Sequence, residues 1–288
     1  MTKLVTIVKD KKQIKELINY SDAFIIGIKD LSVNMPCYFE IEELKEINEY
    51  LKENNKELFV SLNKNFHTIE LDKLKEVLFL IENLDVKGIL YYDVCLVNLK
   101  QELNLKTDLV WNQEHSTTNY ATANFWYEHG VKYMNVSHEI TLKEIEEINE
   151  NTEIELMVNI LGYIPMFTSE RKLISNYKEK FNLNPNTNKY YLHKENNIYN
   201  LVEDKNVTTM YSSGILNAYN EYLILKDKIN YFILNSFEID NDIFKEIIKG
   251  IKEENITEES IDKLLLNTTK SFLHTETIYR VKEYGKNK

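Results

Sequence analysis

The stretch from Glu155 to Tyr177 reads E-L-M-V-N-I-L-G-Y-I-P-M-F-T-S-E-R-K-L-I-S-N-Y. An apolar run stops at Gly162, the chain passes Pro165, and Thr168, Ser169, Glu170 and Arg171 lead into a helical pattern. This is a strand feeding a polar loop. Glycine lets the backbone turn where a side chain would clash, and the loop after such a strand is where a parallel sheet usually holds its ligand.

The same alternation runs outward in both directions. Strand-like runs at Leu4–Val8, Ala23–Ile28, Leu58–Leu62, Gly88–Tyr92, Asp108–Trp111, Tyr133–Val136, Glu155–Ile160 and Tyr231–Leu234 alternate with amphipathic helical patterns. These patterns begin near Lys12, Ile41, Leu71, Val94, Tyr120, Leu142 and Asp242. Near-continuous apolar strands separated by helices imply a parallel sheet covered by helices. Eight such units in one chain predict a closed (β/α)8 TIM-barrel-like fold, with an open doubly wound sheet as the alternative. Between the seventh and eighth strands, residues 182–219 form a β-rich insertion with strands expected at Tyr190–His193, Ile198–Val202 and Val207–Tyr211. The insertion is too long for an ordinary loop and is expected to pack over the barrel mouth. Residues 1–255 are thus read as one barrel. Residues 256–288 are read as a final helix, Glu258–Leu266, and an extended tail from Phe272.

At 288 residues and 43% hydrophobic content the chain can bury a large core. No run approaches the ~20 apolar residues of a membrane span, and Met1–Asn19 is too charged for a signal peptide, so a cytoplasmic location is expected. Cys37 and Cys95 are the two cysteines, without a C-x-x-C spacing, which argues against a disulfide framework, a four-cysteine zinc site or a self-contained iron–sulfur cluster. A net charge of -11 disfavours binding DNA or RNA over the whole surface. The charge is uneven, however. From Arg171 to Lys194 six Lys or Arg face one acid, Glu179, a net of +5.

In a barrel the chemistry sits at the carboxyl ends of the strands. Those ends carry Lys9 and Asp10; Lys29 and Asp30; Asn63 and Lys64; Asp93; Asn112 and Glu114; Ser137, His138 and Glu139; Asn159; and Asn235 and Glu238. Dinucleotide, P-loop, zincin and nucleophile-elbow motifs are absent from the sequence. The pairs Glu114–His115 and His138–Glu139 end adjacent strands. Neighbours on a strand point to opposite sides, so no metal site is expected from them. Trp111 and Trp126 read as core. Ser169 and Arg171, two apart at the start of a helix, would offer hydroxyl, guanidinium and helix amides to a carboxylate or phosphate; the plainer alternative is a serine cap beside a solvated arginine.

Four segments give the chain a resemblance to the collagenase-like peptidase family U32: D-A-F-I-I-G at Asp22–Gly27, T-N-Y-A-T-A-N-F-W at Thr118–Trp126, H-E-I-T at His138–Thr141, and the Gly162–Tyr177 loop. Within that family it looks most like the shorter of two paired members from low-GC bacteria implicated in 5-hydroxylation of the tRNA wobble uridine. The resemblance implies a barrel, a prephenate-dependent hydroxylation in the RNA-acting branch, and a four-cysteine [4Fe–4S] site in cluster-bearing members. Several positions depart from the pattern. Where the family commonly has H-G-x-x-C, this chain has Leu161, Gly162 and Pro165; a family R-E-L appears as His138, Glu139, Ile140; and Met157 stands where a glutamate is usual. The expectation is a non-cluster subunit with no metal or cofactor of its own and prephenate as co-substrate. It would act on tRNA beside a longer paralogue that holds the iron–sulfur cluster. On this reading Asn63, Glu114 and Glu139 are the catalytic candidates, and Asn119, Ser169, Arg171, Asn176 and Tyr177 the substrate- or anion-binding ones. A peptidase and a catalytically degenerate structural barrel are the alternatives.

Overall fold

The computed structural model describes residues 2–112, 117–184, 187, 189–205 and 207–275. The chain runs β1 (Lys3–Ile7), α1 (Lys11–Leu17), β2 (Ala23–Ile28), β3 (Tyr38–Phe39), α2 (Glu43–Glu53), β4 (Glu57–Leu62), α3 (Leu71–Leu84), β5 (Gly88–Tyr91) and α4 (Cys95–Glu102). It continues through β6 (Leu109–Trp111), α5 (Tyr120–Glu128), β7 (Tyr133–Asn135), α6 (Leu142–Glu150), β8 (Glu155–Gly162), β9 (Pro165–Ser169), α7 (Leu173–Lys180), β10 (Tyr190–Lys194), β11 (Asn197–Glu203) and β12 (Thr208–Tyr211). Last come β13 (Ile215–Asn217), α8 (Tyr219–Leu225), β14 (Tyr231–Asn235), α9 (Asn241–Lys252), α10 (Glu258–Leu265) and β15 (Thr268–Thr269). Strands β1, β2, β4, β5, β6, β7, β8 and β14 pair in that order, all parallel, and β14 pairs with both β8 and β1. The sheet therefore closes. The (β/α)8 barrel expected from the apolar alternation is the fold, and the open sheet is not.

Each barrel strand is buried on both faces, which is why the sequence shows unbroken apolar runs such as Ala23–Ile28. Outward residues pack under the helices. Inward residues, among them Val5, Ile25, Phe59, Val110, Tyr133, Met157 and Tyr231, form a separate inner cluster. Phe59, Tyr133 and Tyr231 meet edge to face with centroids 5.5–5.9 Å apart, the arrangement ring quadrupoles favour. The amino end of the barrel is tied by Glu57, which takes Lys3 at 2.6 Å, Lys87 at 3.4 Å and the Tyr231 hydroxyl at 3.2 Å. Met157 is part of that dry interior.

Strands β10, β11, β12 and β9 form a four-stranded antiparallel sheet. The three insertion strands fall where the alternation places them. The fourth departs from the sequence reading: Pro165–Ser169 is strand β9 rather than a loop opening into a helix, because it finds β12 as a partner (Thr168↔Thr209, Ser169↔Thr208). Asn34, at φ 57°, anchors this sheet to the barrel. Its Nδ2 donates to Thr168 Oγ1 at 2.9 Å and its Oδ1 accepts from Thr209 Oγ1 at 2.6 Å. The Tyr38 hydroxyl on Asp204 (2.7 Å) and the Tyr211 ring stacked on Phe237 (4.3 Å) add two further anchors. The final helix is present as α10. Residues 272–275 form a turn instead of extending, and the rest of the expected tail lies outside the described residues.

The path from barrel to insertion depends on Gly162. Its φ is 127°, and a Cβ there would lie 2.7 Å from Asn235 Cβ and 2.8 Å from Asn235 O. Gly130, at φ 80°, has open space around it. Gly130→Ala is expected to cost roughly 1 kcal/mol from backbone strain alone. Gly162→Ala adds a clash with β14 and is expected to cost about 2–4 kcal/mol. Denaturant melts of both variants check this; equal losses would show that the approach to Asn235 carries no weight.

Candidate functional site

The carboxyl ends of the strands enclose a chamber of about 60 Å³, room for roughly four or more waters. Its walls include Ile7, Ile25, Leu90 and Ile233, and its roof is the run Leu161–Pro165. The polar lining is made of amides. Asn112, Asn135 and Asn159, on adjacent strand ends, form a directed row: Asn159 Nδ2 donates to Asn135 Oδ1 at 3.1 Å, and Asn135 Nδ2 donates to Asn112 Oδ1 at 2.8 Å. Among the described residues no further partner meets Asn159 Oδ1 or Asn112 Nδ2. The row therefore ends in an acceptor on one side and a donor on the other. Asn235 completes this side, with its Oδ1 accepting from Phe237 N at 3.0 Å. Across the chamber, the Ser61 hydroxyl is 0% exposed and has no hydrogen-bond partner among the described residues. A buried polar atom in that position costs stability unless a ligand or water satisfies it.

Asn34 and Asn63 also line a second cavity of about 320 Å³ between the mouth and β9, with Lys64, Tyr92, Met166, Phe167, Thr168 and Glu170. Lys64 is already engaged by Glu70 at 2.6 Å and the Asp30 carbonyl at 3.2 Å. Lys9 donates to the Ile239 carbonyl and to Asn241 Oδ1, and burial pulls its pKa down against the nearby acids Glu238, Asp240 and Asp10. Lys29, at the end of β2, pairs with Glu40, so all three of these strand-end lysines are committed to protein partners. The described chamber lining holds no Asp, Glu, Lys or Arg.

The sequence-derived candidates do not gather at one point. Asn63 is at the mouth, with its amide spent on Val33: Oδ1 accepts from Val33 N and Nδ2 donates to Val33 O, both at 3.0 Å. Glu114 lies outside the described residues. Glu139 is half-buried at the end of β7, but His138 is the neighbour that lines the chamber. Asn119 caps α5 by accepting from Thr122 N at 2.9 Å. Asn176 and Tyr177 lie exposed on α7. Ser169 ends β9 instead of starting a helix, its hydroxyl accepts from Arg171 N at 3.3 Å, and no histidine bonds it among the described residues.

The anion site expected at the α7 amino terminus is already filled. Glu203 accepts from Ile174 N at 2.7 Å and Ser175 N at 3.2 Å, and Thr208 Oγ1 takes Leu173 N at 3.0 Å. Burial raises the Glu203 pKa, but hydrogen bonds from Ser175, Ile174 and Thr208 outweigh it and hold the carboxyl below its ordinary value. The amide row escapes the sequence reading, although Asn112, Asn159 and Asn235 all stand among the strand exits. The signal is asparagine recurring at strand ends.

A four-cysteine cluster does not fit these residues. Cys37 and Cys95 sit in separate half-buried places, and burial, aided by Asp10 and Glu43 at one and Asp93 at the other, pushes each thiol up to about 12. No group of three or more His, Cys, Asp or Glu able to hold a metal ion occurs among the described residues.

A TIM barrel with an amide-lined chamber at its mouth and a small β-sheet beside it defines the class, and similarity to known proteins gives it a family. The chain belongs to peptidase family U32, whose model matches residues 9–258. It is 27% identical over 226 residues to the "tRNA hydroxylation protein P2" of Bacillus subtilis (strain 168), spanning 76% of this chain and 72% of that one. It is 25% identical over 168 residues to the "tRNA hydroxylation protein P1" of the same organism, 58% of this chain and 40% of that one. An uncharacterized protease of Methanocaldococcus jannaschii is 29% identical over 184 residues, 62% of this chain and 44% of that one. The solved U32 peptidase Mk0906 shares the fold, with a TM-score of 0.56 at 16% identity over 82% of this chain and 92% of that one.

The Glu203 hydrogen bonds yield a pH dependence. Because the folded carboxyl titrates lower than the unfolded one, its stabilisation is present above about pH 4 and is lost as pH falls through the folded value. Glu203→Gln should therefore melt earlier than wild type at pH 7, with the gap closing below about pH 4. A gap independent of pH would contradict the assignment.

Proposed function

We propose that this chain takes part in tRNA hydroxylation by holding the wobble uridine base at its mouth. The observation that carries this is the directed row Asn159–Asn135–Asn112, which offers an acceptor at one end and a donor at the other. A carboxylate has acceptors only and uses half of that pattern, whereas the imide edge of a uracil has both a donor and acceptors. RNA-modifying proteins read unstacked bases through such edges in closed pockets. The similarity to proteins named for tRNA hydroxylation supports the same reading.

The redox step and prephenate belong, on this proposal, to a longer cluster-bearing paralogue that pairs with this chain in the cytoplasm. The strand-end lysines Lys9, Lys29 and Lys64 are already engaged by the protein, so the two carboxylates of prephenate find better ground on the partner. A peptidase reading gains no support from Ser169, whose hydroxyl accepts from Arg171 N and has no hydrogen bond to a histidine or carboxylate among the described residues.

Mass spectrometry of tRNA nucleosides from cells with and without the gene tests the proposal. Deletion should remove 5-hydroxyuridine-derived wobble nucleosides, and the wild-type gene should restore them. Asn159→Leu, which breaks the amide row, should restore them at a rate about tenfold or more lower. An unchanged nucleoside profile in the deletion would sink the hydroxylation role.

A further inference from the structure

We propose that the outer face of α7 and the adjoining edge of β10 form a binding surface for single-stranded RNA. This rests on the reading of the chain as an RNA-acting protein and adds to it a place where the strand is held. Helical spacing puts Leu173, Tyr177 and Lys180 on one side of α7, while Ile174 and Lys178 are half-buried toward the sheet. The helix is fixed there: Glu203 holds its first amides, and Lys178 Nζ reaches the Tyr190 hydroxyl at 3.2 Å and lies 5.4 Å from that ring's centroid. Lys194 alternates onto the same sheet face as Tyr190.

Two properties set this surface apart. Its rings are exposed, Tyr177 at 59% and Phe181 at 52%, and they touch each other with centroids 4.7 Å apart. Its cations are not neutralised by carboxylates, and one of them, Lys180, lies over the Phe181 ring at 5.6 Å from its centroid. Arg171, Lys172, Lys180 and Lys194 make no ion pair among the described residues, whereas barrel lysines such as Lys11, Lys75 and Lys252 reach carboxylates at 2.7–2.8 Å. In a chain of net charge -11, a local excess of unpaired cations around exposed rings matches a polyanion with flat bases. A protein partner fits less well, because lysine is depleted from the centres of protein interfaces and here lies next to each ring. RNA bound across α7 would lie on the insertion that roofs the mouth.

Fluorescence anisotropy of the purified full chain with a uridine-rich single-stranded RNA and with an unmodified tRNA transcript, at several salt concentrations, tests this surface. Wild type should bind both, with affinity falling as salt rises. Lys172→Glu/Lys180→Glu should bind at least about tenfold more weakly, with a salt slope flatter by about 0.7 for each phosphate the protein no longer neutralises. Tyr177→Ala should weaken binding roughly 5- to 100-fold with the slope kept. Lys45→Glu, on the outer wall of the barrel, should bind as wild type, and unchanged circular dichroism should accompany every variant.

Wild type that fails to bind at low salt, or surface variants that bind as tightly as wild type, would overturn the proposal. Tyr177→Ala that keeps RNA but loses a co-purifying protein would give the face to a protein partner instead. The nucleoside profile separates the two readings. RNA held through this face with tRNA hydroxylation independent of the gene would sink the hydroxylation role and leave the surface. Hydroxylation dependent on the gene, with RNA binding indifferent to these substitutions, would remove the surface alone.

Discussion

At Gly162 strand β8 passes so close to Asn235 that a Cβ would collide with both its side chain and its carbonyl. On one side of this crossing β8 is barrel wall, paired in parallel with β14; at the crossing it pairs antiparallel with β13, and three residues later the chain has become β9 of the insertion. The roof of the chamber, Leu161–Pro165, is therefore made by the same backbone that closes the barrel beneath it. Asn34 then fastens β9 and β12 from the far side of the mouth. Tyr38 on Asp204, Tyr211 against Phe237 and Lys205 on Asp30 add to these points, and together they hold the small sheet against the mouth.

The electrostatics divide the molecule in two. At the mouth, the described chamber lining holds no Asp, Glu, Lys or Arg, and the nearby lysines are already matched by carboxylates, carbonyls or an amide oxygen. On and beside α7, Arg171, Lys172, Lys180 and Lys194 make no ion pair among the described residues. Low charge beside a neutral hydrogen-bonding row selects for a neutral polar group, because burying an unpaired ion there would carry a large desolvation cost. Unpaired cations at an exposed surface act at longer range and respond to salt. A nucleic acid has both features in one molecule, a neutral base edge and a charged backbone, and on the proposals above the two halves serve that one ligand.

Much of the barrel is legible in the sequence because each wall strand is buried on both faces and announces itself as an apolar run. Strand β9 is not. Met166, Phe167 and Thr168 are exposed, and the pairing that makes them a strand comes from Thr208–Tyr211, about forty residues away. The α7 terminus misleads for the same reason, since Glu203 lies 28 or 29 residues downstream of the amides it occupies. The amide row is half legible. Asn112 and Asn159 can be seen near strand ends, but their linkage through Asn135 needs the register of neighbouring strands, which local pattern does not carry. Asn119 and Asn63 illustrate the converse: polar residues near strand ends whose side chains are consumed by a cap and by a backbone pair.

The central claim is that the barrel mouth receives a nucleobase, and a structure of the full chain with a bound anticodon stem-loop tests it most directly. A uracil edge hydrogen-bonded to the amide row at Asn159 Oδ1 or Asn112 Nδ2 is the expected result. A mouth holding a carboxylate or a metal ion, with every base outside the chamber, would contradict it.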